Sequence, residues 1–289
     1  MNRRTFLKTT AAISGAITLK DLKAKDTENK KEFFGVLVDT TKCIGCRSCE
    51  VACAESHGLE VPDILNDSGH DEIRSTNEKQ YTVVNKYDTD KGEVFVKKQC
   101  MHCWQPACAS ACLTNAMYKT IEGPIIWRED KCMGCRFCMV SCPFDIPKFE
   151  YNDWNPKIQK CDMCWNRLQE GKKPACVSVC PTDAITFGMK RELMEIARNR
   201  VYGHPDKYVH QIYGEHEVGG TGWLYLSAVP FDQIGFRTDL GTTPYPEFTK
   251  DFLYNVPVAL FGIPALLLGL NLLTERYNDN KKNKDWEND

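Results

Sequence analysis

Sixteen cysteines fall into four runs of four with tight internal spacing, and none is left over. The runs are Cys43, Cys46, Cys49, Cys53; Cys100, Cys103, Cys108, Cys112; Cys132, Cys135, Cys138, Cys142; and Cys161, Cys164, Cys176, Cys180. The first and third read C-x2-C-x2-C-x3-C, and Pro143 follows the third, which is the run that ligates bacterial [4Fe-4S] clusters. Three cysteines three positions apart, in a loop turned by Gly45 or Gly134, reach three corners of a cubane. The fourth corner must come from elsewhere, and in two-cluster ferredoxins the last cysteine of each run serves the other cluster.

Runs two and three are adjacent, so they are expected to form one double-cluster unit, leaving runs one and four to form the other. Crossed ligation then predicts four sets: Cys43, Cys46, Cys49 with Cys180 (cluster A); Cys161, Cys164, Cys176 with Cys53 (B); Cys100, Cys103, Cys108 with Cys142 (C); and Cys132, Cys135, Cys138 with Cys112 (D). Zinc also accepts four thiolates, but its sites rarely use three close cysteines and a distant fourth. Disulfides suit an exported chain with an even cysteine count, yet such short runs are poorly placed for internal pairing.

The chain opens with Arg3-Arg4-Thr5-Phe6-Leu7-Lys8, followed by an uncharged run to Leu19 that is too short to span a bilayer. This is expected to be a twin-arginine export signal. A route that carries folded proteins lets clusters be inserted in a reducing cytosol before sixteen thiols meet an oxidising compartment. Residues 252–274 carry no charge and are long enough, at about 1.5 Å per residue, to cross a hydrocarbon core of about 30 Å. One C-terminal transmembrane helix is predicted there. Pro257, Pro264 and Asn271 suit a helix packed on other membrane helices. Arg276, Lys281, Lys282 and Lys284 follow it, and the positive-inside rule puts that tail in the cytoplasm and the cysteine-bearing body on the periplasmic face.

The predicted organisation is therefore signal and linker at 1–31, a four-cluster body at 32–250, a span at 252–274 and a tail at 275–289, with runs two and three making one unit at about 94–150. The predicted fold class is α+β: a duplicated, loop-rich bacterial ferredoxin-like body with one transmembrane helix. Strands are expected at 33–39, 94–96, 124–127 and 184–187, and a helix at 190–200 packing through Leu193, Ile196 and Ala197. Residues 54–93 are expected to form a surface insertion with a strand at 81–85. Gly219-Gly220-Thr221-Gly222 lacks the GK[ST] of a phosphate loop and is expected to be a tight turn. The six histidines form no H-x-x-x-H pair and are expected to be surface or packing residues. Lys97, Lys98, Arg136 and Lys160 flank ligands; each is expected to be a solvated charge, with influence on a cluster potential as the alternative. A net charge of −2 implies no nucleic-acid surface. No acid–base pair, nucleophile or nucleotide motif stands out, so no catalytic residue is assigned.

Four runs with x4 in the second and a long insert, 165–175, in the fourth resemble the four-cluster ferredoxin subunits of the dimethyl sulfoxide reductase and formate dehydrogenase families. Together with the export signal, the terminal span and the stretches FGMKRELMEIARNR and IYGEHEVGGTGWLYLSAVP, the chain is most similar to the Hyb-type iron–sulfur subunits of periplasmic [NiFe] hydrogenases. The beta subunit of membrane-bound formate dehydrogenase, or of another molybdopterin oxidoreductase, is the alternative. The resemblance implies a non-catalytic relay of four [4Fe-4S] clusters. Its implied partners are a catalytic subunit, such as the hydrogenase small subunit, and an integral membrane quinone-binding or cytochrome b subunit. Related nitrate reductase subunits replace one cysteine by Trp, whereas Cys135 is present in the third run here, and Leu113 stands where the family often has Pro.

Overall fold

The computed structural model describes residues 32–65 and 68–286. The predicted twin-arginine signal and linker at 1–31 lie outside the described residues.

In chain order the strands are β1 (Phe34–Asp39), β2 (Val83–Thr89), β3 (Gly92–Lys98), β4 (Met117–Lys119), β5 (Ile125–Trp127), β6 (Lys148–Phe149), β7 (Ile158–Gln159), β8 (Ile185–Met189) and β9 (Trp223–Leu226). Short helices and cysteine loops fill much of the space between them, so the body mixes helix and strand. The central sheet has the order β8-β1-β9. β1 runs antiparallel to β8, with Val36 opposite Phe187, and parallel to β9, with Val36 opposite Trp223.

β1 is apolar on both faces from Phe34 to Val38, with its β-branched residues Val36 and Val38 on one of them, as suits a central strand covered on both sides. Successive side chains alternate across it. Leu37 faces the helix Lys190–Gly203 and packs with Leu193, Ala197, Val201, Leu224 and Leu226. Val36 and Val38 face the cysteine-bearing core with Trp223 and Tyr225. The helix extends one turn past the predicted 190–200, and Val201 rather than Ile196 completes its packed stripe, since Ile196 is 38% exposed.

Two sequence expectations are corrected. Residues 54–93 are not simply a surface insertion: the hairpin β2–β3 begins at Val83, and Tyr81, Val83, Val84 and Asn85 are buried. Residues 201–250, for which the sequence predicts no strand, supply β9 and an aromatic core. Phe236 lies 4.5 Å from Tyr213, 4.8 Å from Tyr225 and 5.4 Å from Phe231 between ring centroids. Such contacts stabilise by about 0.5–1.5 kcal/mol each beyond area burial. The Gly219–Gly220 segment is a turn as expected, both residues having positive φ.

The C-terminal helix Glu247–Trp286 runs through Pro257 and Pro264. Its segment Glu247–Tyr277 is long and apolar enough to cross a membrane, and its apolar window is wholly unburied by the chain. Leu266, Leu267, Leu270 and Leu273 are each more than half exposed, an arrangement that water would penalise and lipid would not.

Candidate metal centres

Each cysteine run is delivered by a strand or released into one, and runs one and three share a local design. β1 ends at Asp39, a 3-10 turn covers Thr40–Lys42, Gly45 has φ +71°, Arg47 has φ +57°, and the helix Ser48–His57 carries Cys49 and Cys53. β5 ends at Trp127, a 3-10 turn covers Glu129–Lys131, Gly134 has φ +72°, Arg136 has φ +58°, and the helix Phe137–Val140 carries Cys138. The left-handed residues curl the loop so that successive cysteines converge. Runs two and four share another design. Pro106 precedes the helix Ala107–Ser110 with Cys108, and Pro174 precedes the helix Ala175–Ser178 with Cys176. Pro fits there because a first helical turn needs no donor from it.

The four runs meet in a three-plus-one pattern. Cys43, Cys46, Cys49 and Cys180 line one cavity together with Lys97. Cys132, Cys135, Cys138 and Cys112 line a second. Cys176 has Cys164 and Cys53 as electrostatic neighbours, and Cys161 also has Cys53. Cys103 has Cys100, Cys142 and Cys108. Neighbouring groups adjoin in a row through shared buried clusters: Cys49 and Cys176 in one, Cys161 and Cys100 in a second, and Cys108 and Cys138 in a third.

None of the sixteen cysteines forms a disulfide in this arrangement. Burial pushes the thiols of Cys49, Cys103, Cys108 and Cys161 up, and neighbouring cysteines push them further. Burial likewise raises Cys138, Cys142 and Cys176 to about 11. Packing so many sulfurs together is unfavourable for bare thiolates and suits a donor set that shares a positively charged metal group. Backbone donors complete the fit: Cys112 Sγ accepts from the N–H of Ala116 at 3.1 Å and of Met117 at 3.3 Å. Burial alone would raise the Cys112 thiol, and these hydrogen bonds lower it instead.

Several supporting residues escaped the sequence reading. Lys97 and Lys160, expected to be solvated, are 2% and 5% exposed. Lys97 Nζ donates to Thr82 Oγ1 at 2.6 Å and Gln99 Oε1 at 2.9 Å, and lies 4.7 Å from the Trp223 ring centroid. Lys160 Nζ donates to the carbonyls of Cys161, at 2.9 Å, and Ile125. Arg136 stays exposed, as expected. His102 is a buried packing residue whose Nδ1 accepts the Ile125 N–H at 2.9 Å. His57 instead ties runs one and four together: Nδ1 donates to the Cys53 carbonyl and Nε2 to Asp162 Oδ1, both at 2.8 Å. Burial would depress its pKa, but the bonds to Asp162 and Cys53 push it up to about 11. Nothing in its spacing from the cysteines signals this role, because Asp162 lies 105 positions away.

A 4Fe-4S dicluster domain matches residues 92–190. Over 287 residues the chain is 43% identical to a protein of Nitratidesulfovibrio vulgaris, covering 96% of this chain and 78% of that one. It is 34% identical to the hydrogenase-2 operon protein HybA of Escherichia coli O157:H7, covering 97% of each. It is 33% identical to the formate dehydrogenase-O iron-sulfur subunit of Escherichia coli K12, covering 91% of this chain and 93% of that one. Near-complete coverage at these identities, together with the clustered thiols, shows that the chain belongs to the family of HybA and the formate dehydrogenase iron–sulfur subunits and is an electron-transfer subunit carrying [4Fe-4S] clusters.

Proposed function

We propose that the chain holds four [4Fe-4S] clusters in the sets A to D and relays electrons from a periplasmic [NiFe] hydrogenase to a quinone-reactive membrane subunit. The observation that carries this reading is the three-plus-one convergence, in which each of two cavities is lined by three cysteines of one run and the fourth of another. Each cluster supplies a one-electron carrier when bound. The chain's own residues hold it by thiolate, aim N–H groups at the sulfurs and exclude water. No substrate pocket is required of such a subunit.

A nested duplication is supported by matching surroundings. β1 precedes run one and pairs antiparallel with β8, which follows run four. β5 precedes run three and pairs antiparallel with β4, which follows run two. Runs two and three thus form an inner unit at about 94–150, inserted into an outer unit built from runs one and four, within a body spanning 32–250.

Near-full coverage of HybA supports the hydrogenase partner. The comparable identity to formate dehydrogenase iron–sulfur subunits supports a second reading, in which the catalytic partner is a molybdopterin enzyme. Arg3 and Arg4 support export in the folded state, and the unburied span supports anchoring with the tail at 275–289 in the cytoplasm.

Anaerobic purification from detergent-solubilised membranes, with metal and acid-labile sulfide analysis, tests these statements together. Iron and sulfide with a nickel-containing partner is expected. Molybdenum or tungsten with a pterin moves the chain to the second reading, and zinc without sulfide overturns the relay.

A further inference from the structure

Lys97 and Lys160 are the two buried lysines among the described residues. Burying an ammonium ion is costly unless nearby charge and hydrogen bonds offset it. For Lys97 the hydrogen-bond partners are neutral, Thr82 and Gln99. For Lys160 they are two backbone carbonyls. The compensating negative charge comes mainly from cysteine sulfur, and from more than one group in each case. Lys97 interacts with Cys49 of the first group and with Cys161 and Cys176 of the second, and it lines the cavity of Cys43, Cys46, Cys49 and Cys180. Lys160 interacts with Cys161 of the second group and with Cys100 and Cys108 of the third, with Asp162 as a further negative neighbour. Two successive boundaries in the row of cysteine groups each contain one fixed positive charge. The third boundary, where Cys108 meets Cys138, contains no buried lysine among the described residues.

We propose that Lys97 and Lys160 are shared charges that set cluster potentials in pairs: Lys97 raises those of A and B, Lys160 those of B and C, and D lies outside both. This rests on the assignment of clusters to sets A to D. Reduction adds one electron to a cluster, and a cation held in a low-dielectric interior favours the state with the extra negative charge. An electron leaving one cluster reduces its neighbour, and no bond or proton changes at either lysine. Each Nζ donates to two oxygen acceptors, which hold the ammonium in place beside the sulfur groups. A charge shared across a boundary moves both neighbouring potentials in the same direction. It therefore raises both while leaving the difference between them, which sets the driving force for hopping, little changed.

Potentiometric titration followed by electron paramagnetic resonance, on the complex purified from membranes, tests the proposal. In the wild type four separable one-electron signals are expected, and fewer would overturn the cluster assignment itself. With four present, Lys97→Met should lower two potentials, each by roughly a tenfold change in the oxidised-to-reduced ratio, or about 59 mV for a one-electron couple. Lys160→Met should lower two, one of them in common with the first variant, and one signal should move in neither. Lys97→Arg should restore the wild-type values. No shift, or an equal shift of all four, overturns the lysine assignment while leaving the clusters in place. Should Lys97→Met lose iron, Gln99→Glu places a carboxylate against the same ammonium, 2.9 Å from Nζ in the wild type, with the packing kept. The same two potentials should then fall, and their constancy would equally overturn the proposal.

Discussion

Arg74 Nη2 donates to Glu50 Oε1 at 2.6 Å although 24 positions separate the two residues. Glu50 is completely enclosed, and it also accepts from Arg47 Nη2 at 2.9 Å, Gln80 Nε2 at 3.0 Å and the Val84 N–H at 2.5 Å. One carboxylate beside Cys49 thus fastens the segment between runs one and two to the first cysteine helix. Removing one side of a buried ion pair costs about 3–5 kcal/mol, because the opposing charges stay behind. Glu50→Ala is expected to lower the thermal midpoint by roughly 10 °C, measured by calorimetry on the anaerobic complex. A change of only one or two degrees would show that the network is dispensable.

The two loop glycines are equivalent in sequence and unequal in the fold. Gly45 and Gly134 have nearly the same backbone angle, but a Cβ on Gly45 would sit 2.5 Å from the Phe95 ring, whereas one on Gly134 would meet nothing within 4 Å. Gly134→Ala should therefore cost only the left-handed strain of about 1–2 kcal/mol and retain its iron. Gly45→Ala should also displace Phe95 and lose iron from the first site. Iron analysis of the two purified variants decides it, and equal iron in both would refute the distinction.

The proposed crossed ligation predicts which cluster depends on Cys53. Cys53 belongs to the first run, yet its neighbours are Cys161, Cys164 and Cys176. Cys53→Ala is expected to remove or convert the cluster of the fourth run and leave the signal of the Cys43, Cys46 and Cys49 site unchanged. Paramagnetic resonance with iron quantification reports which signal disappears.

The apolar window of the terminal helix is not buried by the rest of the chain. Removing residues 251–289 should release the protein from membranes with its iron content unchanged. Fractionation without detergent, followed by iron and sulfide assay, checks this; loss of iron on truncation would show that the helix supports the fold.

The cysteine spacing alone carried the chemistry, because ligation of a cubane by a short loop requires close thiols and a distant fourth ligand. The apolar 252–274 run was equally legible, since bilayer thickness converts directly into length. β1 was visible through its β-branched, apolar composition. β9 was not, since the segment leading into it is rich in Gly and its pairing with β1 joins residues nearly 190 positions apart.

The sequence by itself determined the ligand inventory, the electron-carrying chemistry and the presence of a membrane-length helix, all of which follow from local spacing or length. Only the tertiary structure decided that Lys97 and Lys160 are buried between sulfur groups, that Glu50 gathers two arginines, and that His57 bridges to Asp162. A charged side chain carries no local mark of burial. Whether it is solvated or enclosed depends on chain that arrives from far along the sequence, as Thr82 and Trp223 do around Lys97.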